Sequence, residues 1–486
     1  MINARVAMVA KLPAEILCMI FDMACTEHVD SKAPLWNGRG AISLTCFQWR
    51  QVMLLTPELW RQLVVHLRSY TGTGFHGRRD SERMWPVPNP LIIPLVLQRA
   101  GPHPLKFQLL NQGGSSTMLG YHWHRILPHI TLAIQQSSMV HIRTYHRIEP
   151  MSLFSRPVPW PTLHYLWLAC DCNESDNSND FIESDESNAP DESNASDATD
   201  ESESNESNAS NASDAPHEPE CVDLSMATNL RLLSITIPDN PDKGSLSFRL
   251  PEISSIKRLV LHGDIAFLDL SAALARSVQL EWLDIELPEF PDRRGFQESP
   301  ITLYSLRHLY ITEWSTFGRT RFIVAPRLHS LAIKGDYDDY WGLLPTVSDA
   351  KRFPCLLDLS IQLPMPTDVL ISFIKALPTL QRVGEVTVPE ARQVLMEDNP
   401  ELHNPDLRAL WIYCHAPSEE GAVLRQLAEH LQAARPNCSL YLSSDTSNGD
   451  LRKLADEFKE HVHYPSCFPP PDMDWQDEWC RPELYL

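Results

Sequence analysis

A three-point apolar pattern recurs along this chain and constrains its fold more than any other feature. Two residues separate the first apolar position from the second, and one separates the second from the third. It reads Leu163/Leu166/Leu168, Leu230/Leu233/Ile235, Ile256/Leu259/Leu261 and Leu280/Leu283/Ile285. It continues as Leu306/Leu309/Ile311, Leu328/Leu331/Ile333, Leu356/Leu359/Ile361 and Leu407/Leu410/Ile412, with a weaker copy at Leu380 and Val383. From 230 to 407 the first positions lie 26, 24, 26, 22, 28, 24 and 27 residues apart. The gap from 163 to 230 is 67, and setting aside 173–217 as an insertion of 45 leaves 22.

The final alternation of each copy is a short strand with one face inward. A single copy cannot bury that face, so neighbouring copies must stack their strands into one parallel sheet. The spacing resembles that of leucine-rich repeats, whose period is about 20–29 residues. The expected fold class is therefore α/β: an irregular solenoid of parallel strands over about 161–445. Helices are expected between strands at Ile265–Arg276, Asp368–Leu377 and Ser418–Ala434. Cys438–Ser443 reads as the last strand and Asp450–His461 as the start of a C-terminal cap and tail, 446–486. The regular repeat carries Asn or Cys two residues beyond the third apolar position's neighbour. Here those sites hold Asp171, Pro238, Asp264, Pro288, Trp314, Asp336, Pro364 and His415, so no asparagine ladder is expected. Residues 68–160 read as a linker with degenerate first repeats, Leu105/Phe107/Leu109 and Val140/Ile142 being candidate strands.

Ahead of the array lies a helical segment. Pro13 suits a first helical position, where its missing N–H costs nothing. Ile16, Leu17, Ile20, Phe21 and Met23 follow at helical spacing. A second helix is expected from Ala41 to Leu55, stopped by Thr56-Pro57 because proline excludes the helical conformation of the residue before it. A third short helix is expected from Pro57 through Leu63. Apolar residues occupy more than one face of the first helix, which implies a second burial surface on the next domain or on a partner.

The string Leu12-Pro13-x-Glu15-Ile16-Leu17-x-x-Ile20-Phe21, then Cys46-x-x-Trp49-Arg50, then Leu59-Trp60 with Leu63, resembles the F-box motif of fungal F-box/leucine-rich-repeat proteins. The resemblance covers residues 11–67. It differs at Gln48, where the family often has a basic residue. It implies a three-helix F-box that binds a SKP-family adaptor and, through it, a cullin. Leu12, Pro13, Ile16, Leu17, Ile20 and Phe21 would sit at that interface, with Trp49, Leu59 and Trp60 supporting the packing. The implied role is non-catalytic: a substrate-recognition adaptor of an SCF-type ubiquitin ligase, its repeats holding a protein substrate. The alternative is an interaction scaffold outside any ligase. The acidic aromatic loop Asp336-Tyr337-Asp338-Asp339-Tyr340-Trp341 makes Tyr337, Tyr340 and Trp341 candidate substrate contacts, since aromatic residues often anchor interfaces. Ordinary packing against the next repeat accounts for them equally well.

Charge narrows the partners. The net charge of −22 is concentrated: residues 171–220 hold 17 Asp or Glu and no Lys or Arg. Without them 46 acids face 41 bases, a balance of −5. No overall basic footprint for nucleic acid remains. The tract 173–217, built from Asn, Ser, Asp, Glu and Ala, is expected to be a disordered loop, because it cannot bury enough apolar area to offset chain entropy. The 11 cysteines form no regular framework, which fits a reducing compartment. The apolar stretch at the N-terminus is too short for a signal peptide, and no run of about 18 apolar residues is present. An intracellular location, cytoplasmic or nuclear, and no membrane partner are expected. No phosphate-binding loop, His-Glu-x-x-His helix or nucleophile elbow occurs. His122/His124 and His461/His463 lack nearby third ligands, so no metal or other cofactor is expected.

Overall fold

Strand β5 (Tyr165–Cys170) displays the logic of the repeat. Leu166 and Leu168 are buried, and Tyr165, Trp167 and Ala169 alternate with them on the opposite, half-buried face. The computed structural model describes residues 12–26, 42, 44–70, 83–87, 92–111, 116–144, 153–155 and 158–170. After these it describes 221–237, 247–252, 254–263, 267–286, 300–312, 320–335, 346–362, 366–396, 406–414, 417–443 and 449–464. The expected disordered loop 173–217 and the tail after 464 lie outside these residues.

The chain opens with α1 (Ala14–Thr26), α2 (Phe47–Leu55) and a 3-10 turn, Pro57–Trp60. Strands β1 (Gln62–Tyr70) and β2 (Arg83–Val87), helix α3 (Ile93–Ala100), β3 (Leu105–Asn111), α4 (Ser116–Gln135) and β4 (Ser137–Thr144) come next, before β5. Repeat strands follow as β7 (Leu232–Thr236), β9 (Arg258–His262), β10 (Trp282–Glu286), β12 (His308–Thr312), β14 (Ser330–Lys334) and β15 (Asp358–Gln362). Then come β16 (Arg382–Thr387), β17 (Ala409–Tyr413), β18 (Ser439–Ser443) and β19 (Val462–His463). The connecting helices are α5 (Phe267–Arg276), α6 (Val347–Ala350), α7 (Thr367–Lys375), α8 (Val388–Met396), α9 (Pro417–Ala434) and α10 (Gly449–Glu457). Two minor parallel pairs, β6 (Cys221–Asp223) with β8 (Ser247–Arg249) and β11 (Ile301–Thr302) with β13 (Ile323–Val324), form outside the main sheet.

The main sheet has 15 strands in the order β19-β18-β17-β16-β15-β14-β12-β10-β9-β7-β5-β4-β3-β1-β2. Every neighbour pairs in parallel except β2, which closes the N-terminal edge antiparallel to β1. Mixed α/β structure with a long parallel sheet is thus the architecture, and its stacking is solenoid-like. One buried cluster runs from Leu17 through inward residues of β1 and of every main-sheet strand from β3 on, to Val462.

The stack is held in register by bonds just before each strand. The residue preceding the first apolar position reaches back one repeat: Thr162 Oγ1 donates to Ser137 O at 3.0 Å, Asn229 Nδ2 to Pro161 O at 2.7 Å and Ser305 Oγ to Val278 O at 2.9 Å. Ser255 Oγ lies 2.9 Å from Thr228 O and 2.8 Å from Leu230 O, and Thr379 Oγ1 lies 3.2 Å from Pro354 O and 2.8 Å from Leu356 O. The eight sites where an asparagine ladder would stand fall outside the described residues. Side-chain ladders nevertheless exist on the entry side of the strands, supplied mostly by hydroxyls. Backbone bonds accompany them, from Lys257 N to Arg231 O, Glu281 N to Lys257 O and Arg307 N to Glu281 O.

Several local expectations need correction. The expected third helix is only the 3-10 turn; from Gln62 the β-branched pair Val64-Val65 continues as strand, so the sheet starts at β1 and not at 161. The second helix is interrupted: residues 42, 44 and 45 are helical, Cys46 is extended (φ −157°, ψ 168°) with its Sγ accepting the Trp49 N–H, and the helix then runs Phe47–Leu55. Segment 68–160 contributes β2, β3 and β4 with α3 and α4, including the two candidate strands. The C-terminal segment is a helix, α10, followed by one more parallel strand, β19.

Candidate functional site

Two surfaces stand out. The first is built by α1. Leu17 N donates to Pro13 O at 3.1 Å, which starts the helix right after the proline. Leu17 and Phe21, four residues apart, then share one face and are fully buried. Phe21 packs against Trp49 of α2, and Trp60 Nε1 donates to Met53 O while Arg99 of α3 lies over its ring at 5.3 Å. These contacts tie α1, α2, the 3-10 turn and α3 to one another.

The other face of α1 is exposed. Ile16 and Ile20 are 41% and 42% exposed, Met19 and Met23 more so. Leu44, Phe47 and Leu55 are about three-quarters exposed. Seven large apolar side chains in water within one small module are far more than scattered surface leucines, and such concentrations mark interaction sites.

The residues expected at an adaptor interface therefore divide. Ile16, Ile20 and Pro13 are on the surface. Leu12 and Trp49 are half-buried against the core. Leu17, Phe21, Leu59 and Trp60 are buried within the chain. Leu17 and Phe21, expected at the interface, lie one helical turn apart on the core side of α1, while Ile16 and Ile20 lie on the other side. Met19, Met23, Leu44, Phe47 and Leu55 were missed. Residues 19 and 23 follow Ile16 and Ile20 at three-residue offsets, a signal already present in the helical spacing. Tyr337, Tyr340 and Trp341 lie outside the described residues.

The second surface is the open face of the sheet, formed by the strand residues that point away from the core. The register aligns them in rows. One row runs Lys106, Met139, Tyr165, Leu232, Arg258, Trp282, His308 across β3 to β12. The next runs Gln108, His141, Trp167, Ser234, Val260, Asp284, Tyr310. Rings meet along the rows: His141 and Trp167 tilted at 5.5 Å, and stacked pairs Trp282 on His308 at 5.3 Å, Trp411 on Tyr441 at 4.3 Å and Tyr441 on His463 at 4.8 Å. Arg258 lies over the Trp282 ring at 4.9 Å.

Charges on this face are arranged in blocks. His262 Nε2 is 2.9 Å from Asp284 Oδ1, and its Nδ1 is 3.6 Å from Glu286 Oε2. Burial opposes charge on this imidazole, yet the hydrogen bond to Asp284 and both carboxylates outweigh it and raise its pKa above 6.5. His308 goes the other way: burial, with His329 and Arg307 nearby, lowers it to about 4. Arg382 pairs with Asp358 through two guanidinium contacts. At the N-terminal end, Gln108 is 1% exposed, and neither Nε2 nor Oε1 has a hydrogen-bond partner. Each such buried group costs about 1–3 kcal/mol.

Among the described residues no group of three or more His, Cys, Asp or Glu could hold a metal ion, and no helix is long and apolar enough to cross a membrane. The sequence matches no protein-family model and no curated protein.

Proposed function

We propose that this chain is a non-catalytic receptor of an SCF-type ubiquitin ligase, with an F-box at residues 11–67 and leucine-rich-type repeats behind it. The observation that carries the reading is the two-sided α1: Leu17 and Phe21 hold it to the body of the protein while Ile16, Met19, Ile20 and Met23 face water. An adaptor that covered this face would bury it at about 25 cal/mol per Å². A SKP-family adaptor would bind here and bring a cullin, while the repeats would position a protein substrate. The chain itself would supply proximity rather than chemistry.

Co-purification from cells tests this. The wild-type chain should bring down a SKP-family adaptor and a cullin, and Ile16→Glu/Ile20→Glu should lose both while remaining folded. Leu12→Ala/Pro13→Ala should weaken adaptor capture in the same way. Recovery of neither protein with the wild type sinks the F-box reading. Recovery of the adaptor without any cullin favours a scaffold outside the ligase. That second reading draws on the welding of Leu17, Phe21 and Trp60 into the same buried cluster as the sheet, which would suit a capping module.

A further inference from the structure

We propose that the cleft between β8 and α5, outside the main sheet, binds a small phosphomonoester carried on an apolar body. The assignment is independent of the receptor reading above.

Local structure builds the cleft. β6 pairs in parallel with β8, which sets Cys221–Asp223 beside Ser247–Arg249. Leu224 N then donates to Arg249 O at 2.8 Å, and the chain turns through Ala227 N to Leu224 O at 2.9 Å and Leu230 N to Ala227 O at 3.1 Å. Helix α5 lies against β8. Its small residues Ala272 and Ala273 fill little of the space between these walls, and a cleft of ≈ 910 Å³ remains. Small-ligand sites span about 300–1,000 Å³. The apolar lining includes Phe248, Leu250 and Ala273, all buried.

Two cations line this cleft. Arg249 ends β8 and Arg276 ends α5, and both residues are exposed. No ion pair among the described residues engages either guanidinium. Other arginines of the protein are held by acids: Arg382 by Asp358, Arg425 by Glu457 and Arg352 by Asp349. Even the register neighbour of Arg249 is an acid, Asp223. That carboxylate is turned to the backbone instead, where its Oδ1 accepts the Ser225 N–H at 3.0 Å.

The donor set selects the ligand. A guanidinium presents a planar fork of N–H donors that matches the oxygens of a phosphate or a carboxylate. A carboxylate carries one charge, which a single arginine answers. A phosphomonoester carries about 1.5 to 2 negative charges near pH 7, which suits two. Ser225 and Thr228 line the same cleft and add hydroxyl donors. Glu252 lines it as well, so two Arg against one Glu leave a single net positive charge. Glu252 would accept a hydrogen bond from the ligand's body while opposing its phosphate. The buried apolar lining would take the ester's carbon skeleton.

Isothermal titration calorimetry on the purified full chain tests this, with phenyl phosphate as the probe and benzoate and inorganic phosphate as comparisons. Phenyl phosphate should bind at least about tenfold more tightly than either. Arg249→Gln/Arg276→Gln should weaken it by about tenfold or more, and each single change by about threefold. Arg249→Lys keeps the charge without the fork and should lose part of the affinity. Glu252→Gln should tighten binding, because it removes the opposing charge. Lys375→Gln removes an exposed cation of α7, away from the cleft, and should change nothing. The altered side chains are exposed, so the variants should fold, and circular dichroism melting checks each one. If the double variant fails to fold, the single changes still decide. Absence of phenyl phosphate binding, equal binding of either comparison compound, or an equal loss in Lys375→Gln would overturn the proposal. So would tighter capture of a phosphoserine pentapeptide, which would assign the cleft to a modified protein instead of a small ester.

Discussion

Phe21 and Trp49 meet edge to face, their ring centroids 5.0 Å apart and their planes inclined by 62°. The arrangement sets the electropositive edge of one ring against the π-face of the other and locks α1 to α2. Phe21→Ala removes a fully buried ring and should cost about 3–5 kcal/mol. Chemical denaturation read by Trp fluorescence measures it, and hydrogen exchange should rise first in α1 and α2. Ile16→Glu/Ile20→Glu, on the other side of the same helix, should leave the denaturation midpoint nearly unchanged. A large loss of stability in that second variant would mean the apolar face is covered within the chain itself.

Thr379 Oγ1 shares its proton between two carbonyls of the preceding repeat. Thr379→Val keeps the shape and removes the donor, so it should cost about 1 kcal/mol, and Thr379→Ser should recover most of that. Equal stability of the Val and Thr proteins in urea titrations would show that the hydroxyl ladder contributes nothing to register.

Gly263 follows β9 at φ +104°, a region L side chains rarely adopt. A Cβ there would lie 1.8 Å from Ile237 O, a backbone atom with no rotamer to give. Gly263→Ala should therefore lower stability by at least about 2 kcal/mol, more than backbone strain alone explains. Thermal unfolding of the purified variant reads this directly, and an unchanged midpoint would contradict the close approach of the two repeats.

His262 and His308 should pull stability in opposite directions with pH. The pKa of His262 is raised, so its contribution is complete below its unfolded value near 6.5 and is lost as pH climbs through the higher folded value. His308 is lowered to about 4; its neutral form is the favoured one, so stability falls as pH drops from 6.5 toward 4. His262→Gln should flatten the alkaline slope of the melting temperature and His308→Gln the acid slope. Unchanged slopes in both variants would remove these imidazoles from the linkage.

The repeat strands were legible because their signal is repeated: Leu283 and Ile285 mean little alone, but eight copies at one spacing leave few other folds. Helices α5, α7 and α9 were legible for the same reason, lying where a repeat needs an outer layer. The first strands were not. Val64-Val65 carried a strand signal, yet it followed two helices and invited a third. Helix α4 hides behind an internal Pro128, a residue that normally ends a helix. On the site, periodicity put apolar residues on more than one face of α1 but does not say which side a later strand will cover, and the resemblance gave both sides to one interface. The rows of the open face could not be seen at all without register: Lys106 and Arg258 share one row although they are 152 positions apart.

Only Arg61 separates the 3-10 turn at Trp60 from the first strand. One buried cluster spans both, so the helical module and the sheet form a continuous measuring scale. Its graduations are the strands, about 4.8 Å apart. From β3 to β18 there are eleven steps, a contour of about 50 Å. Whatever sits on the sheet is thereby held at a distance from α1 fixed by which strands it occupies, and gaining or losing one repeat would shift that distance by one graduation without altering either end.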